Sequence, residues 1–282
     1  MGFMFLNMVL GLSVLLGLLV SNWIMLILFM EVTLFTFLFM LFDYNLVSYS
    51  SPGLKYFFSQ TIGSIMLLLA GLIFSVLLYK ESYLGIYFMI LGTCMKLGLF
   101  PMHFWVVPTS MELPYFMLAV LGVPMKVLPL VLLSNFLNWV VNSSLLFALL
   151  VLSCLSMVTG MLLGLMNSSI RGILGASSVT HSGWFLLAMI SKALISYFLL
   201  YSVTLLLMFF SLISLSYWVS AINLIALGGL PPFSVFFGKL YVLINFFQLN
   251  LPIGFLIPVM LTSTFSLIYY LKFSFSLFLS PK

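Results

Sequence analysis

Long runs of apolar residues, separated by short polar stretches, dominate the pattern along the chain. The runs show no alternation and exceed the about 9–11 residues of a transmembrane β-strand. A helix satisfies its backbone hydrogen bonds within the segment and spans the lipid interior with about 20 apolar residues. The pattern therefore predicts ten transmembrane helices, at about residues 3–20, 23–42, 57–79, 84–105, 114–137, 144–166, 171–190, 194–215, 219–248 and 252–279.

Composition narrows the class of protein further. Of the 282 residues, 65% are hydrophobic and 5% are charged, whereas soluble domains are roughly 45–50% apolar and about 25% charged. This balance excludes a soluble enzyme, a disordered tail, a coiled coil and a secreted disulfide scaffold, and it predicts an all-α polytopic membrane protein. The net charge of +5 comes from bases scattered singly along the chain, so we expect no nucleic acid partner.

Signals for a bound cofactor, a metal or a cleaved leader are missing. Cys94 and Cys154 lie in apolar runs without metal-ligand spacing, so we expect buried packing thiols. No dinucleotide fingerprint, phosphate-binding loop, cysteine cluster or haem-type histidine pair occurs, so redox or nucleotide chemistry is expected on other chains. The N-terminus lacks a basic signal region, which predicts insertion through the first span. Heavy use of phenylalanine and methionine, with few charges, is similar to that of proteins made inside mitochondria.

Glycine and proline interrupt two of the ten segments. The fourth contains Gly98 to Pro101 and the ninth contains Gly228 to Pro232, at equivalent places in two halves, residues 1–137 and 144–279. We take Gly98 and Gly228 as equivalent positions. Such breaks are tolerated at membrane depth only where protein or a water-filled cavity meets the freed backbone groups. Paired interrupted helices point to the ion site of a transporter, and ordinary proline kinks are the simpler alternative.

Four ionisable residues lie well inside apolar runs: Glu31, Lys96, Lys126 and Lys239. Each charge facing lipid at mid-bilayer would cost about 2.5–3.5 kcal/mol, so we expect them to face the interior of the bundle. Glu31 is the acid placed to partner a buried lysine, and the proton affinity of a buried lysine depends on such neighbours. The set predicts a stepwise proton relay; the alternatives are lysines that reach the headgroups and a carboxylate that only packs.

The remaining polar residues carry weaker signals. His181 lies in the polar stretch from Ser177 to Trp184 and suits proton transfer, although a polar packing residue is an equal alternative. His103 is interpreted as an interfacial residue beside an aromatic belt, and Gly160 with Gly164 indicates close helix packing. Surface anchoring is expected for four bases: Lys55, Lys80, Arg171 and Lys272. Alternating spans place both termini with Lys55, Arg171 and Lys282, opposite Lys80 and Lys192, which predicts termini on the matrix side.

Several stretches resemble motifs of the antiporter-like, proton-pumping membrane subunits of respiratory complex I, in matching order and spacing. They are Lys96–Trp105, Arg171–Trp184, Gly228–Lys239, and Asn22-Trp23 upstream of Glu31. The resemblance covers roughly residues 20–275. It implies about ten transmembrane helices arranged as two inverted five-helix repeats, each with one broken helix.

The resemblance also implies roles and surroundings. Glu31 and Lys96 match the family's ion pair, Lys126 its central lysine and Lys239 its exit-side lysine; His181 joins them as a candidate proton carrier. FMN, the iron–sulfur clusters and ubiquinone would lie on other subunits of the complex. Electron transport through these cofactors would drive proton translocation. Expected partners are the other membrane and accessory subunits in a hetero-oligomer, together with phospholipids, in the mitochondrial inner membrane.

The chain departs from the family pattern in three places. It stops after the tenth segment, so we expect a short form without a final helix of longer relatives and with a different lateral docking edge. Pro124-Met125 precedes Lys126, and Val235–Gly238 precedes Lys239, where relatives differ, which puts the local geometry of both lysines in question. Two other functions stay open, a free-standing cation/proton antiporter and a purely structural membrane subunit.

Overall fold

The computed structural model describes residues 2–43, 50–77, 83–139 and 143–279. Over these ranges the chain forms thirteen α-helices and no strand. The helices are α1 (Gly2–Leu19), α2 (Trp23–Asp43), α3 (Ser50–Leu77), α4 (Tyr83–Leu97), α5 (Val106–Glu112), α6 (Tyr115–Gly122), α7 (Pro124–Trp139), α8 (Ser143–Met166), α9 (Ile170–Ile190), α10 (Leu194–Ile213), α11 (Tyr217–Gly228), α12 (Ser234–Gln248) and α13 (Leu256–Phe278), the last preceded by a 3-10 turn (Ile253–Phe255). Lys80 and Lys282, which enter the orientation prediction, lie outside the described residues.

The prediction of an all-α polytopic membrane protein is confirmed. Eight stretches within the described ranges are long and apolar enough to cross a membrane. They match eight of the predicted segments, with α6 and α7 together forming the fifth. The fourth and ninth predicted segments are built from shorter helices, α4 with α5 and α11 with α12, because each is interrupted by glycine and proline.

Three predicted boundaries were wrong. Helix α3 begins at Ser50 and not near residue 57, because the charge of Lys55 is accommodated in the first turns by an ion pair with Glu112. The stretch from Thr109 to Glu112, which we interpreted as polar punctuation, forms the end of α5. A turn at Val123 divides the fifth segment, just before Lys126, because the proline that follows suits the first position of a new helix.

The chain divides into two compact units. The first contains Met1–Leu113 and Val123–Asn142, and the second contains Pro114–Gly122 and Ser143–Lys282. In the first unit α3 packs along α4, and α2 packs against α1, α3 and α7. In the second unit α8 packs along α9, α11 along α13, and α10 against α6, α11 and α12. The short helix α6 thus belongs with the second unit.

Helix α9 is buried over nearly its whole length within the second unit. Its serine and threonine hydroxyls donate to backbone carbonyls three residues earlier, so these buried donors are satisfied within the helix itself. Gly160 of α8 lies against Thr180 of α9, where an added Cβ would be 2.6 Å from the Thr180 backbone nitrogen. Gly164 lies against the ring of Tyr269 at the same distance. The close packing predicted from the Gly160–Gly164 spacing is present.

Candidate proton-transfer site

The first break in a membrane helix follows α4 and is stabilised by a tryptophan. Helix α4 ends at Leu97, and Gly98 adopts a left-handed conformation with φ 68° that side chains with a Cβ avoid. The break frees the carbonyl of Met95 from the helical ladder, and the indole Nε1 of Trp105 donates to it at 3.0 Å. A buried carbonyl is therefore satisfied where the helix ends.

Lys96 stands in the last turn of α4 and forms an ion pair with Glu31 of α2. The ammonium Nζ donates to the carboxylate Oε1 at 3.0 Å, and the lysine side chain is 3% exposed while the glutamate side chain is 25% exposed. The C-terminal end of a helix favours a nearby cation. Gly63 of α3 makes room for the lysine stem, since an added Cβ would lie 3.1 Å from Lys96 Cγ.

Lys126 lies in the first turn of α7, two residues after the proline that begins the helix. Only 4% of the residue is exposed, so it does not reach the surface of the chain. Its backbone nitrogen donates to Val123 at 3.1 Å, which anchors the first turn. The Pro124-Met125 departure from the family pattern therefore leaves a buried lysine in place.

The second break, between α11 and α12, carries Lys239. Helix α11 ends at Gly228, and Gly229 adopts φ 81°. Lys239 of α12 extends back across the break, and its Nζ donates to the Gly228 carbonyl at 2.8 Å while lying 5.5 Å from the ring centroid of Trp184. An added Cβ on Gly229 would be 2.9 Å from that Nζ, so the glycine leaves the space that the ammonium occupies.

The two breaks have the same construction, but their equivalent positions differ by one residue from the predicted ones. The left-handed glycine after the first half-helix is Gly98 in one unit and Gly229 in the other, so the predicted equivalence of Gly98 with Gly228 was wrong by one residue. In both units a buried lysine lies at the C-terminal end of the first half-helix. In one unit it is part of that helix, and in the other it comes from the helix after the break.

His181 is held by tyrosines in the interior of the second unit. Its Nδ1 lies 2.8 Å from the hydroxyl of Tyr197, and its Nε2 lies 3.4 Å from the hydroxyl of Tyr270. The ring of Tyr201 packs on the imidazole with a centroid distance of 4.6 Å. All four side chains are buried. His181 is therefore both packed and hydrogen-bonded, so the two interpretations of this residue are compatible.

Other residues singled out from the sequence have structural surroundings. Lys55 pairs with Glu112 at 2.6 Å, and Arg171 lies 5.0 Å from the ring centroid of Tyr115. Lys272 is exposed, as expected for a surface lysine. The ring of His103 stacks on Phe100 and is half-buried. Cys94 and Cys154 are buried free thiols, and within the described ranges no group of three acidic, histidine or cysteine residues could hold a metal ion.

Sequence reasoning missed the hydrogen-bonding aromatic residues. Trp105 was part of a quoted motif but was not interpreted as a backbone donor. Tyr197 and Tyr201, four residues apart in an apolar run, gave the one available signal, since that spacing puts two phenols on the same face of a helix. Tyr270 gave none, because a phenol carries no charge and the chain has thirteen tyrosines.

Each of the two broken membrane helices has a buried lysine at its break, Lys96 at the first and Lys239 at the second. This arrangement is typical of an antiporter-like membrane protein. A family model described as "NADH:quinone oxidoreductase/Mrp antiporter, TM" matches residues 20–218. NADH-ubiquinone oxidoreductase chain 2 of Albinaria caerulea is 33% identical over 262 residues, which are 93% of this chain and 84% of the relative. Chain 2 of Anopheles gambiae is 34% identical over 255 residues, 82% of this chain and 72% of the relative.

Solved structures share the fold. A chain of respiratory complex I from Thermus thermophilus superposes with a TM-score of 0.85 at 21% identity, over 100% of this chain and 71% of that one. A chain of the Mrp complex from Dietzia sp. gives a TM-score of 0.84 at 18% identity, over 95% of this chain and 59% of that one.

The chain belongs to the NADH:quinone oxidoreductase/Mrp antiporter family. The prediction of an antiporter-like, proton-pumping membrane subunit of complex I is confirmed by the chain 2 relatives. These animal relatives and the eight membrane-spanning stretches within the described residues also confirm a multi-pass protein of the mitochondrial inner membrane.

Proposed function

We propose that this proton-translocating subunit moves protons through Glu31, Lys96, Lys126, His181 and Lys239. The observation that carries the proposal is the Glu31–Lys96 pair, an ion pair inside a membrane bundle at the end of a broken helix. Ionisable residues at such depth are costly and mark ion pathways. Surface anchoring does not explain them, because Lys96, Lys126 and Lys239 are each less than a tenth exposed.

The mechanism is electrostatic. A change elsewhere in the complex alters the spacing or charge of the Glu31–Lys96 pair, and a buried lysine responds strongly because nearby charges set its proton affinity. The resulting field changes the proton affinity of Lys126 and then of Lys239, from which a proton leaves. In the second unit, the Gly228 carbonyl stabilises the protonated form of Lys239, since it accepts the ammonium hydrogen bond.

The energy for these steps comes from redox chemistry on other subunits. The sequence has no signature for a flavin, an iron–sulfur cluster or a nucleotide, so FMN, the clusters and ubiquinone are assigned to neighbouring chains. Other membrane and accessory subunits and phospholipids surround this chain in a hetero-oligomer. The extensive apolar surface, including Phe5, Leu19 and Met166, suits lipid or apolar helices.

The proposal includes an arrangement of two inverted five-helix repeats. Its support is internal to each compact unit, since each has one helix broken at a left-handed glycine. Residues 1–137 and 144–279 are proposed as the repeats, although Pro114–Gly122 packs with the second compact unit.

Proton translocation by variant complexes tests the proposal. Complex carrying Lys126→Ala or Lys239→Gln is reconstituted into liposomes, and the ratio of protons moved to electrons transferred is measured. The amide of glutamine can still donate to the Gly228 carbonyl but does not gain or release a proton near neutral pH, so Lys239→Gln separates helix capping from proton transfer. Both variants should lower the ratio, while exposed Lys272→Ala, the matched control, should not.

Three other outcomes are distinguishable. Wild-type ratios in both variants would refute the proposed role of the lysines. Loss of the assembled complex on a native gel, with an unchanged ratio in whatever assembles, would favour a structural subunit. Cation/proton exchange by the single reconstituted chain would favour a free-standing antiporter, which the likeness of the fold to a chain of the Mrp complex brings into consideration.

A further inference from the structure

His181 makes contact with a hydroxyl at each ring nitrogen. Tyr197 faces Nδ1 at 2.8 Å and Tyr270 faces Nε2 at 3.4 Å. A neutral imidazole has one donor nitrogen and one acceptor nitrogen, whereas a hydroxyl can both donate and accept. Either tautomer of His181 therefore finds suitable partners, and the site can change tautomer without losing a hydrogen bond.

Tyr197 also contacts the surroundings of Lys239. Its ring packs on the backbone of Gly238, where an added Cβ would be 3.0 Å from Tyr197 Cδ2. Trp184 is close to both residues, with its ring centroid 5.9 Å from that of Tyr197 and 5.5 Å from the Nζ of Lys239. Tyr197 thus contacts the imidazole of His181 through its hydroxyl and the helical turn that carries Lys239 through its ring.

We propose that Tyr197 carries protons between His181 and Lys239. The inference rests on the proposed roles of these two residues and adds a residue that the sequence did not single out. The hydroxyl oxygen accepts the proton from His181 Nδ1 as it releases its own proton to a water molecule on the way to the neutral amine of Lys239. The Nδ1–H and original Oη–H bonds break, a new Oη–H bond forms, and no charge remains on the tyrosine.

The imidazole is restored from its other side. Nε2 takes up a proton from a hydronium ion beside the Tyr270 hydroxyl as Nδ1 releases its own, which leaves the ring neutral in the other tautomer and a water molecule behind. A hydroxyl faces each ring nitrogen in either tautomer, so the transfer leaves neither nitrogen without a hydrogen-bond partner. One proton enters at Nε2 from hydronium and one leaves for the amine of Lys239, so the transfer balances without an oxidant or a reductant.

Tyr201 provides a matched control on the same helix. It lies one turn beyond Tyr197, is equally buried and packs its ring on His181 at 4.6 Å. Its hydroxyl makes no hydrogen bond with any residue that the structure describes. Loss of the Tyr201 hydroxyl therefore removes a buried phenol oxygen beside His181 without removing a contact to its ring nitrogens.

The experiment compares Tyr197→Phe with Tyr201→Phe and Lys239→Gln. Each variant complex is checked for assembly on a native gel, reconstituted into liposomes and assayed for protons moved per electron. Phenylalanine keeps the ring contacts with Gly238 and Trp184, so a structural role of the ring would leave the ratio unchanged. We expect Tyr197→Phe to lose as much of the ratio as Lys239→Gln does, and Tyr201→Phe to keep the wild-type ratio.

The outcomes separate this inference from the proposed function. A lowered ratio for Lys239→Gln with a wild-type ratio for Tyr197→Phe would overturn the role of Tyr197 alone. A wild-type ratio for Lys239→Gln would overturn the proposed function as well. Should Tyr197→Phe fail to assemble, Tyr197→His and Tyr197→Leu decide instead. The inference is supported if Tyr197→His retains pumping and Tyr197→Leu does not, because histidine can carry a proton. Equal proton-to-electron ratios in these two variants would contradict it.

Discussion

The ammonium of Lys96 lies 3.0 Å from the carboxylate of Glu31, yet the two partners differ in access: the lysine side chain is 3% exposed and the glutamate side chain 25%. The pair is therefore asymmetric. If the lysine is removed, the carboxylate can still be solvated from one side. If the carboxylate is removed, the lysine is left without its counter-charge in a buried position, which is the costly way to break a buried pair.

Glu31→Gln is accordingly expected to destabilise the assembled subunit by about 3 kcal/mol. Lys96→Met should destabilise it less. The double variant should cost less than the sum of the two, because each single change leaves one group without its partner. Midpoints of thermal inactivation of the three variant complexes measure the differences. Strictly additive midpoints would contradict an energetic coupling between the two residues.

The second prediction concerns the indole of Trp105. Its Nε1 is the donor to the Met95 carbonyl at the first break, and Trp105→Phe removes the donor while keeping an aromatic ring. A buried carbonyl left unsatisfied costs about 1–3 kcal/mol, so the variant should lose stability in that range. Thermal inactivation of the complex measures the loss.

Trp218 offers the matched control. It is 54% exposed and its ring packs beside Phe278. Trp218→Phe should change stability by no more than about 0.5 kcal/mol, as is usual for surface substitutions. Equal losses in the Trp105 and Trp218 variants would show that the Met95 hydrogen bond contributes nothing specific.

The sequence was sufficient to find the buried charges, and physical reasons explain why. An ionisable residue in a long apolar run is conspicuous, because the membrane makes it costly. Glu31, Lys96, Lys126 and Lys239 were therefore found, and so was the partnership of Glu31 with a lysine. The ten segments followed from the same contrast between apolar and polar positions.

Details of the breaks could not be predicted in the same way. The reach of Lys239 back to Gly228 depends on the turn that the chain makes across the break, and residue spacing does not determine that turn. The left-handed glycine could have been Gly228 or Gly229, since two adjacent glycines fit the pattern equally well. The hydroxyls around His181 are uncharged, so nothing distinguished Tyr197 or Tyr270 in a chain rich in aromatic residues.

The third prediction concerns the crossing of α8 and α9. Gly160→Ala would place a Cβ 2.6 Å from the backbone nitrogen of Thr180, and a backbone atom cannot rotate away. The two helices must separate, and overpacking of this kind costs about 1–3 kcal/mol. Gly11→Ala on α1 is the control, because nothing lies within 4 Å of the added Cβ. Assembly yield and thermal inactivation should fall for Gly160→Ala alone, and a comparable fall for Gly11→Ala would contradict the packing argument.

The last prediction concerns the surface pair of Lys55 and Glu112, which joins the start of α3 to the end of α5. Partial burial raises the pKa of Glu112, but hydrogen bonds donated by Lys55 and Ser51, together with the charge of Lys55, outweigh it and hold the pKa below its ordinary value of about 4.5. A depressed carboxyl pKa contributes stability above the unfolded-state pKa, and the contribution disappears as the pH falls through the folded-state pKa.

Glu112→Gln should therefore lower the thermal inactivation midpoint of the complex near pH 7, and the gap to wild type should close as the solution is acidified below about pH 4. Both side chains are substantially exposed, so the effect at neutral pH should be at most about 1 kcal/mol and should shrink in high salt. Lys272→Gln, which removes an exposed lysine elsewhere, serves as the control and should give no such pH dependence. A gap between wild type and Glu112→Gln that stays constant from pH 7 to the acid limb would show that the charge of Glu112 does not tie α5 to α3.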